Sequence, residues 1–198
     1  MKHFLTLLAL AAIPAAHGAI VYSGVQNIPI PFTFSGVYVN VFTNLTSLTE
    51  PVDFYDTAPW INLDFGGVDI SNGDMLHLVI TGTDQALNLA SLSLVASSSN
   101  FTVGSSASTT HMGSAPNQFQ LNTPGYVGFS FNPAPAGPTY YGWMQISIDN
   151  TGTGTGTIHD WAYENVAGAP ILAGIVPEPT GPALLLLVLG GMALRRRR

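Results

Sequence analysis

The chain has no cysteine, and only five of its 198 residues are lysine or arginine. Those five lie at the two ends, as Lys2 and a run of arginines over residues 195–198, so residues 20–176 contain neither lysine nor arginine. All of the 11 carboxylates except Glu178 lie in that central segment. Disulfides and lysine–carboxylate or arginine–carboxylate ion pairs are therefore excluded there, and stability has to come from an apolar core.

The acidic balance of the central segment also restricts its partners. Nucleic acid is not expected to bind, because contacts with phosphates need lysine or arginine. An anionic polysaccharide is repelled unless divalent cations bridge it to the carboxylates. The length of residues 20–176 suits one domain with a sizeable core.

The central segment is also poor in helix-forming residues and rich in glycine, serine, threonine, asparagine and proline. Short runs of alternating, β-branched or aromatic residues, separated by turn residues, predict strands. The predicted strands cover residues 32–34, 36–43, 60–65, 75–81, 87–96, 119–121, 126–131, 141–149 and 156–163. Strands this short and this closely spaced predict an all-β protein, built as an antiparallel β-sandwich or jelly roll.

Two of these runs have informative patterns. In residues 141–149, Met144, Ile146 and Ile148 share one face, which predicts a half-buried strand, whereas Trp143 falls on the otherwise polar face. In residues 87–96, the alternation of leucines changes phase at residues 90–91, which predicts a bulge or turn.

Residues 1–19 have the pattern of a secretory signal peptide. Lys2 precedes an apolar stretch over residues 4–13, and Pro14 and small residues follow. The small side chains of Ala16 and Gly18 predict cleavage after Gly18 or after Ala19. The pattern predicts export.

The C-terminal residues form a second segment with three parts. Pro177-Glu178-Pro179 precedes an apolar run over residues 183–194, and Arg195, Arg196, Arg197 and Arg198 follow. A helix over residues 180–194 would be about 22 Å long, which is short for a hydrocarbon core of about 30 Å. Clustered arginines prefer the cytoplasmic side, so the pattern predicts a short single membrane span with the central segment outside.

This order of motifs resembles the PEP-CTERM sorting signal, the tag that exosortase-type transpeptidases process. Residues 140–148 (YYGWMQISI) and 158–164 (IHDWAYE) also resemble the end of the exported domain in proteins that carry this tag. The resemblance implies that an exosortase recognises Pro177, Glu178 and Pro179, and that the four arginines set the orientation in the inner membrane. A plain tail anchor that is never processed is the alternative.

The resulting organisation is a signal peptide (1–19), a β-sandwich domain (20–166), a linker (167–176) and a sorting signal (177–198). A set of five aspartates within the sandwich predicts a possible calcium site, because hard oxygen ligands suit Ca²⁺. The set consists of Asp53, Asp56, Asp64, Asp69 and Asp74. Solvated carboxylates in turns are the alternative, and no other cofactor is expected.

Tyr141, Trp143 and Trp161 are candidates for contact with a glycan, because sugar rings stack on exposed aromatic rings. Their alternative is burial in the core of the sandwich. No serine stands in a G-x-S-x-G turn, and no catalytic residue is predicted. The sequence therefore predicts a non-enzymatic protein of the cell surface or extracellular matrix, associated with extracellular polysaccharide. A lectin-like carbohydrate-binding module and, third, a secreted hydrolase are the alternatives.

Overall fold

The computed structural model describes residues 19–81, 85–103, 106–109, 118–149 and 155–177. Within them the protein is all-β, and a 3-10 turn at Phe65–Gly67 is the one helical element of this described part. The strands are β1 (Ile20–Tyr22), β2 (Ile28–Ile30), β3 (Val37–Asn40), β4 (Thr46–Ser47), β5 (Trp60–Asp64), β6 (Asp69–Asn72), β7 (Leu76–Leu78), β8 (Ile80–Thr81), β9 (Gln85–Ala86), β10 (Asn88–Leu89), β11 (Leu94–Val95), β12 (Ser106–Thr109), β13 (Gly125–Phe131), β14 (Tyr140–Ile148), β15 (Gly156–Glu164) and β16 (Ile171–Leu172).

The first sheet is built around β14 and β15, the two longest strands. β14 pairs antiparallel with β13 on one side and with β15 on the other. One edge of the sheet consists of β1 and β2, which both pair with β15, and the other consists of β7 and β10, which both pair with β13. Gln145 faces Asp160 while Ile146 faces Ile158, so His159 is the extra residue of a bulge in β15.

The second sheet has the order β4-β3-β5-β6-β12-β9-β8. Its pairs are antiparallel except for β12 with β9, which run parallel. β11 and β16 form a separate two-stranded ribbon.

One apolar core contains residues from both seven-stranded sheets, in a sandwich-like arrangement. Met144, Ile146 and Ile148 of β14 are fully buried in it, as their shared face predicts. The indole Nε1 of Trp161 in β15 donates a hydrogen bond of 3.2 Å to the carbonyl of Val41, just after β3 of the other sheet. This bond joins the two sheets inside the core.

A second apolar cluster covers the opposite face of the first sheet. The half-buried strand expected here is therefore covered on this face as well around Tyr141 and Trp143, although Gln145 and Ser147 on the same face are polar. The buried members are Val79, Leu89, Val95, Tyr141, Trp143, Ala162, Ile171 and Ala173.

The predicted strands are confirmed best where they are long. Residues 60–65, 126–131, 141–149 and 156–163 match β5, β13, β14 and β15 closely. The predicted run 87–96 is interrupted by a turn after residue 90, where Leu92 has a φ of 66°. Residues 32–34 and 119–121 lie outside the strands, although Phe119 is buried in the core.

The predicted linker 167–176 is part of the folded body. It contains β16, and Ile171 and Ala173 are 3% and 0% exposed in the second apolar cluster. The amide of Leu92 and the carbonyl of Ala173 are 2.8 Å apart, and the amide of Ala173 bonds to the carbonyl of Ser93 at 2.9 Å. A segment rich in glycine, alanine and proline resembles a linker in sequence, but its apolar residues fill a gap on the sheet.

Ile171→Ala and Leu172→Ala are expected to differ in their effect on stability. Ile171 is buried, so its truncation should lower the free energy of unfolding by about 2–3 kcal/mol. Leu172 is 38% exposed, so the matched change should stay within about 0.5 kcal/mol. Urea unfolding monitored by tryptophan fluorescence measures both, and equal small effects would restore the linker interpretation.

Candidate functional site

The three aromatic residues predicted to contact a glycan are buried. Trp143 and Trp161 are each 1% exposed and Tyr141 is 6% exposed. A sugar ring cannot stack on any of them without opening the fold, so this prediction is wrong. The two tryptophans lie in different layers, because Trp161 fills the core between the sheets and Trp143 fills the second apolar cluster.

Trp143 is buried beside a small polar group on the outer side of the first sheet. Tyr22 donates a hydrogen bond of 2.7 Å from its hydroxyl to Oδ2 of Asp160. Burial and this carboxylate raise the pKa of Tyr22 to about 12, so the tyrosine remains a donor. Nε1 of Trp143 and Oδ1 of Asp160 are both buried without a hydrogen-bond partner in the described residues.

The five aspartates predicted to bind calcium do not come together. Asp53 accepts a hydrogen bond of 2.9 Å from the indole Nε1 of Trp60. Asp56 and Asp74 are exposed, and antiparallel pairing brings only Asp64 and Asp69 side by side. Within the part of the chain that the structure describes, no group of three or more histidine, cysteine or carboxylate side chains could hold a metal ion. The sequence spacing was misleading because these residues lie on different strands and loops.

Asp64 is the most strongly perturbed carboxylate of those described. It is 6% exposed, and its Oδ1 has no hydrogen-bond partner among the described residues. Burial, together with the neighbouring charge of Asp69, raises the pKa of Asp64 to about 6. Gly36 packs against the backbone here: a Cβ at this position, where φ is 54°, would lie 2.7 Å from the Cα of Asp64. Only glycine fits this close approach, which places the loop before β3 against Asp64.

Among the surface aromatic residues that sequence reasoning missed, Phe32, Phe34 and Phe65 pack together, and we call them the phenylalanine cluster. The ring of Phe65 contacts those of Phe32 and Phe34 edge to face, with centroids 5.9 and 6.1 Å apart. Phe34 is 81% exposed, Phe32 is 39% exposed and Phe65 is half-buried. The sequence signal was present in the spacing P-F-T-F-S-G, which reads equally well as an alternating strand.

The backbone fixes the phenylalanine cluster in position. Phe65 has a φ of 46°, a left-handed conformation that is costly for an aromatic residue and that the surrounding structure must impose. Its amide bonds to the carbonyl of Thr33 at 3.2 Å, and the amide of Gly66 bonds to the carbonyl of Pro31 at the same distance. The two loops that carry the rings are therefore tied together.

The first and last parts of the described chain are held to the folded body by hydrogen bonds. The amide of Ala19 donates to Oδ1 of Asn165 at 2.9 Å, and β1 begins at the next residue. At the other end, the amide of Ile175 bonds to the carbonyl of Leu172 at 3.2 Å, and Pro177 is exposed.

Most of the predicted sorting segments lie outside the described residues. This applies to residues 1–18 of the signal peptide and, in the tail, to Glu178, Pro179, Arg195, Arg196, Arg197 and Arg198, so that Pro177 alone of the named sorting residues is described. Among the residues described, there is no helix whose length and apolar character would let it cross a membrane. Among the histidines, His111 lies outside the described residues. Nε2 of His159 lies 3.1 Å from the hydroxyl of Ser147.

Comparison of the chain with protein-family models, with curated proteins and with solved structures gave no match.

Asp64→Asn is expected to stabilise the protein at neutral pH. A carboxylate whose folded-state pKa of about 6 exceeds its unfolded value contributes stability below about pH 4, which is lost as the pH rises through 6. Replacing Asp64 should therefore raise the free energy of unfolding at pH 7.5 by about 2–3 kcal/mol and have little effect at pH 4. Denaturant unfolding at several pH values measures this difference.

Asp56→Asn is the matched control, because Asp56 is an exposed carboxylate of the same central segment. It should leave the pH dependence of the wild-type protein unchanged. If Asp64→Asn behaves in the same way as this control, the burial of an uncompensated charge at Asp64 is refuted.

Proposed function

We propose that this chain is an exported, non-enzymatic protein of the cell surface or extracellular matrix, sorted through its C-terminal tail. The signal peptide directs export, and the tail holds the precursor in the inner membrane by a single helix. An exosortase-type enzyme then processes the tail near Pro177, Glu178 and Pro179. The part that remains is a sandwich of jelly-roll type, associated with extracellular polysaccharide.

One observation carries the proposal: the folded body fits between the two predicted signals. Within the described residues, the first contact is made by Ala19, which lies between the two expected cleavage positions, and the last backbone hydrogen bond is donated by Ile175. The members of both apolar clusters, as described, lie between Ile20 and Ala173. Removal of both signals is therefore compatible with an intact body, as a sorting route requires.

Charge gives a second argument. Processing at both ends removes every lysine and arginine, so the remaining segment 20–176 has ten carboxylates and no side-chain cation other than histidine. Such a surface stays soluble and repels anionic polymers. Neutral polysaccharide, or acidic polysaccharide bridged by divalent cations, is the matrix that suits it.

Replacement of Pro177, Glu178 and Pro179 together by alanine is expected to block processing. In the native host, the wild-type surface protein should lack Arg195–198 by intact-mass analysis, while the triple variant accumulates in the inner membrane with its full C-terminus. Alanine at the neighbouring positions Thr180, Gly181 and Pro182 is the control and should be processed normally. Surface protein that retains its four arginines would contradict the proposal.

The phenylalanine cluster favours a second candidate function, a lectin-like carbohydrate-binding module. Its rings offer an exposed apolar face to the C–H side of a sugar ring, and two backbone hydrogen bonds tie together the loops that carry them, which lowers the entropy lost on binding. Asp69, half-buried on β6 beside Asp64, is a polar acceptor near the same loops. This site replaces the buried Tyr141, Trp143 and Trp161 as the place where a glycan could stack.

Phe34→Ala is expected to weaken binding of neutral polysaccharide at least about tenfold if this second function holds, because Phe34 is the most exposed ring of the cluster. Val52→Ala is the control, since Val52 is also fully exposed but lies outside the cluster. Affinity electrophoresis in gels that contain neutral glucans measures the difference. Equal retardation of both variants and the wild-type protein would remove the carbohydrate-binding candidate.

A further inference from the structure

The β11–β16 ribbon has one buried face and one exposed apolar face. Val95 and Ile171, which face each other across the ribbon, are 0% and 3% exposed against the first sheet. Leu94 and Leu172 form the next cross-strand pair and are 55% and 38% exposed. Leu92, which bonds to the end of β16 through its amide, is 58% exposed.

Val176, next to the last described residue, is a further exposed apolar side chain. It is 43% exposed and lies four residues after Leu172. We call the four side chains Leu92, Leu94, Leu172 and Val176 the ribbon face. Scattered exposed leucines are ordinary, but a cross-strand pair with two further exposed apolar residues, close to the last described residue, is a candidate contact surface.

The segments that form the ribbon carry no charge. Residues 86–103 and 165–177 contain no aspartate, glutamate, lysine or arginine, although residues 20–176 hold ten carboxylates elsewhere. An anionic surface brought against the ribbon therefore meets less repulsion than it would on most of the protein.

The tail begins at the edge of the ribbon face without a spacer. Five residues separate Pro177 from the apolar run that starts at Ala183. Even fully extended, these residues span no more than about 20 Å. If that run enters a bilayer, the ribbon is held within this distance of the lipid surface.

We propose that the ribbon face is the membrane-contacting side of the precursor and rests in the lipid interface while the tail anchors the chain. This inference depends on the membrane attachment in the proposed function and adds the orientation of the body. Four apolar side chains are too few to bind a membrane alone, but they suffice as a second, weaker contact once a tail supplies the first. Release after processing follows from the same weakness.

A second copy of this chain fits the ribbon face less well. A stable dimer needs about 800 Å² on each partner and about 20 residues a side, which is far more than a ribbon of two-residue strands presents. A lipid interface has no such minimum area, because each side chain partitions on its own.

The absence of cysteine allows a direct test on the full chain. Leu94→Cys and Val52→Cys each place one environment-sensitive fluorophore on an exposed position, the first on the ribbon face and the second away from it. Each labelled chain is reconstituted into phosphatidylcholine vesicles. We expect iodide quenching at position 94 to fall about threefold or more on vesicle binding, and nitroxide lipids to quench it, whereas position 52 stays accessible to iodide.

Co-sedimentation of the same samples separates the possible failures. A chain that sediments with vesicles while position 94 remains as accessible as position 52 would overturn the orientation and leave attachment intact. A chain that does not sediment would overturn membrane attachment as well. Protection of position 94 in vesicle-free solution, together with a dimer by light scattering, would assign the ribbon face to a second copy instead.

Discussion

Burial of β14 and β15 on both faces is the constraint on which the rest of the structure depends. One face packs against the second sheet, and the other packs against the ribbon and against apolar residues that include Val79, Leu87 and Phe101. Because no disulfide or lysine or arginine ion pair is possible in this segment, these two apolar layers and the strand hydrogen bonds hold the molecule together. Trp161 and Trp143, one in each layer, are therefore structural residues.

The need to cover both faces of β14 and β15 also explains why the C-terminal end of the described body packs against the first sheet. An outer face that contains Tyr141 and Trp143 has to be covered, and Ile171 and Ala173 do part of the covering. The segment that fills this role is also the last before the tail. The ribbon therefore stabilises the body through its inner side, while its own outer side stays apolar and uncharged.

Asp64 and Phe65 are adjacent residues that the fold holds in unfavourable states. A carboxylate with a buried unpartnered oxygen and an aromatic residue at positive φ stand next to each other, where β5 ends and the 3-10 turn begins. Both are unfavourable for folding, and the close approach of Gly36 and the bonds between the two loops maintain them. This arrangement positions the exposed phenylalanine cluster, which therefore lies at the turn between β5 and β6.

The residue pattern alone establishes the all-β class, the long central strands and the absence of cations between the two terminal segments, because strand periodicity and composition are local properties. It also identified the faces of Met144, Ile146 and Ile148 correctly. It failed for Trp143 and for residues 167–176, since alternation shows which residues share a face but not what covers that face. Only the tertiary structure decided that Asp64 meets Asp69 while the described residues form no metal-binding group of three carboxylates, and that Phe32, Phe34 and Phe65 pack into one surface cluster. Those contacts arise from pairing and packing between segments distant along the chain, which the spacing of residues does not encode.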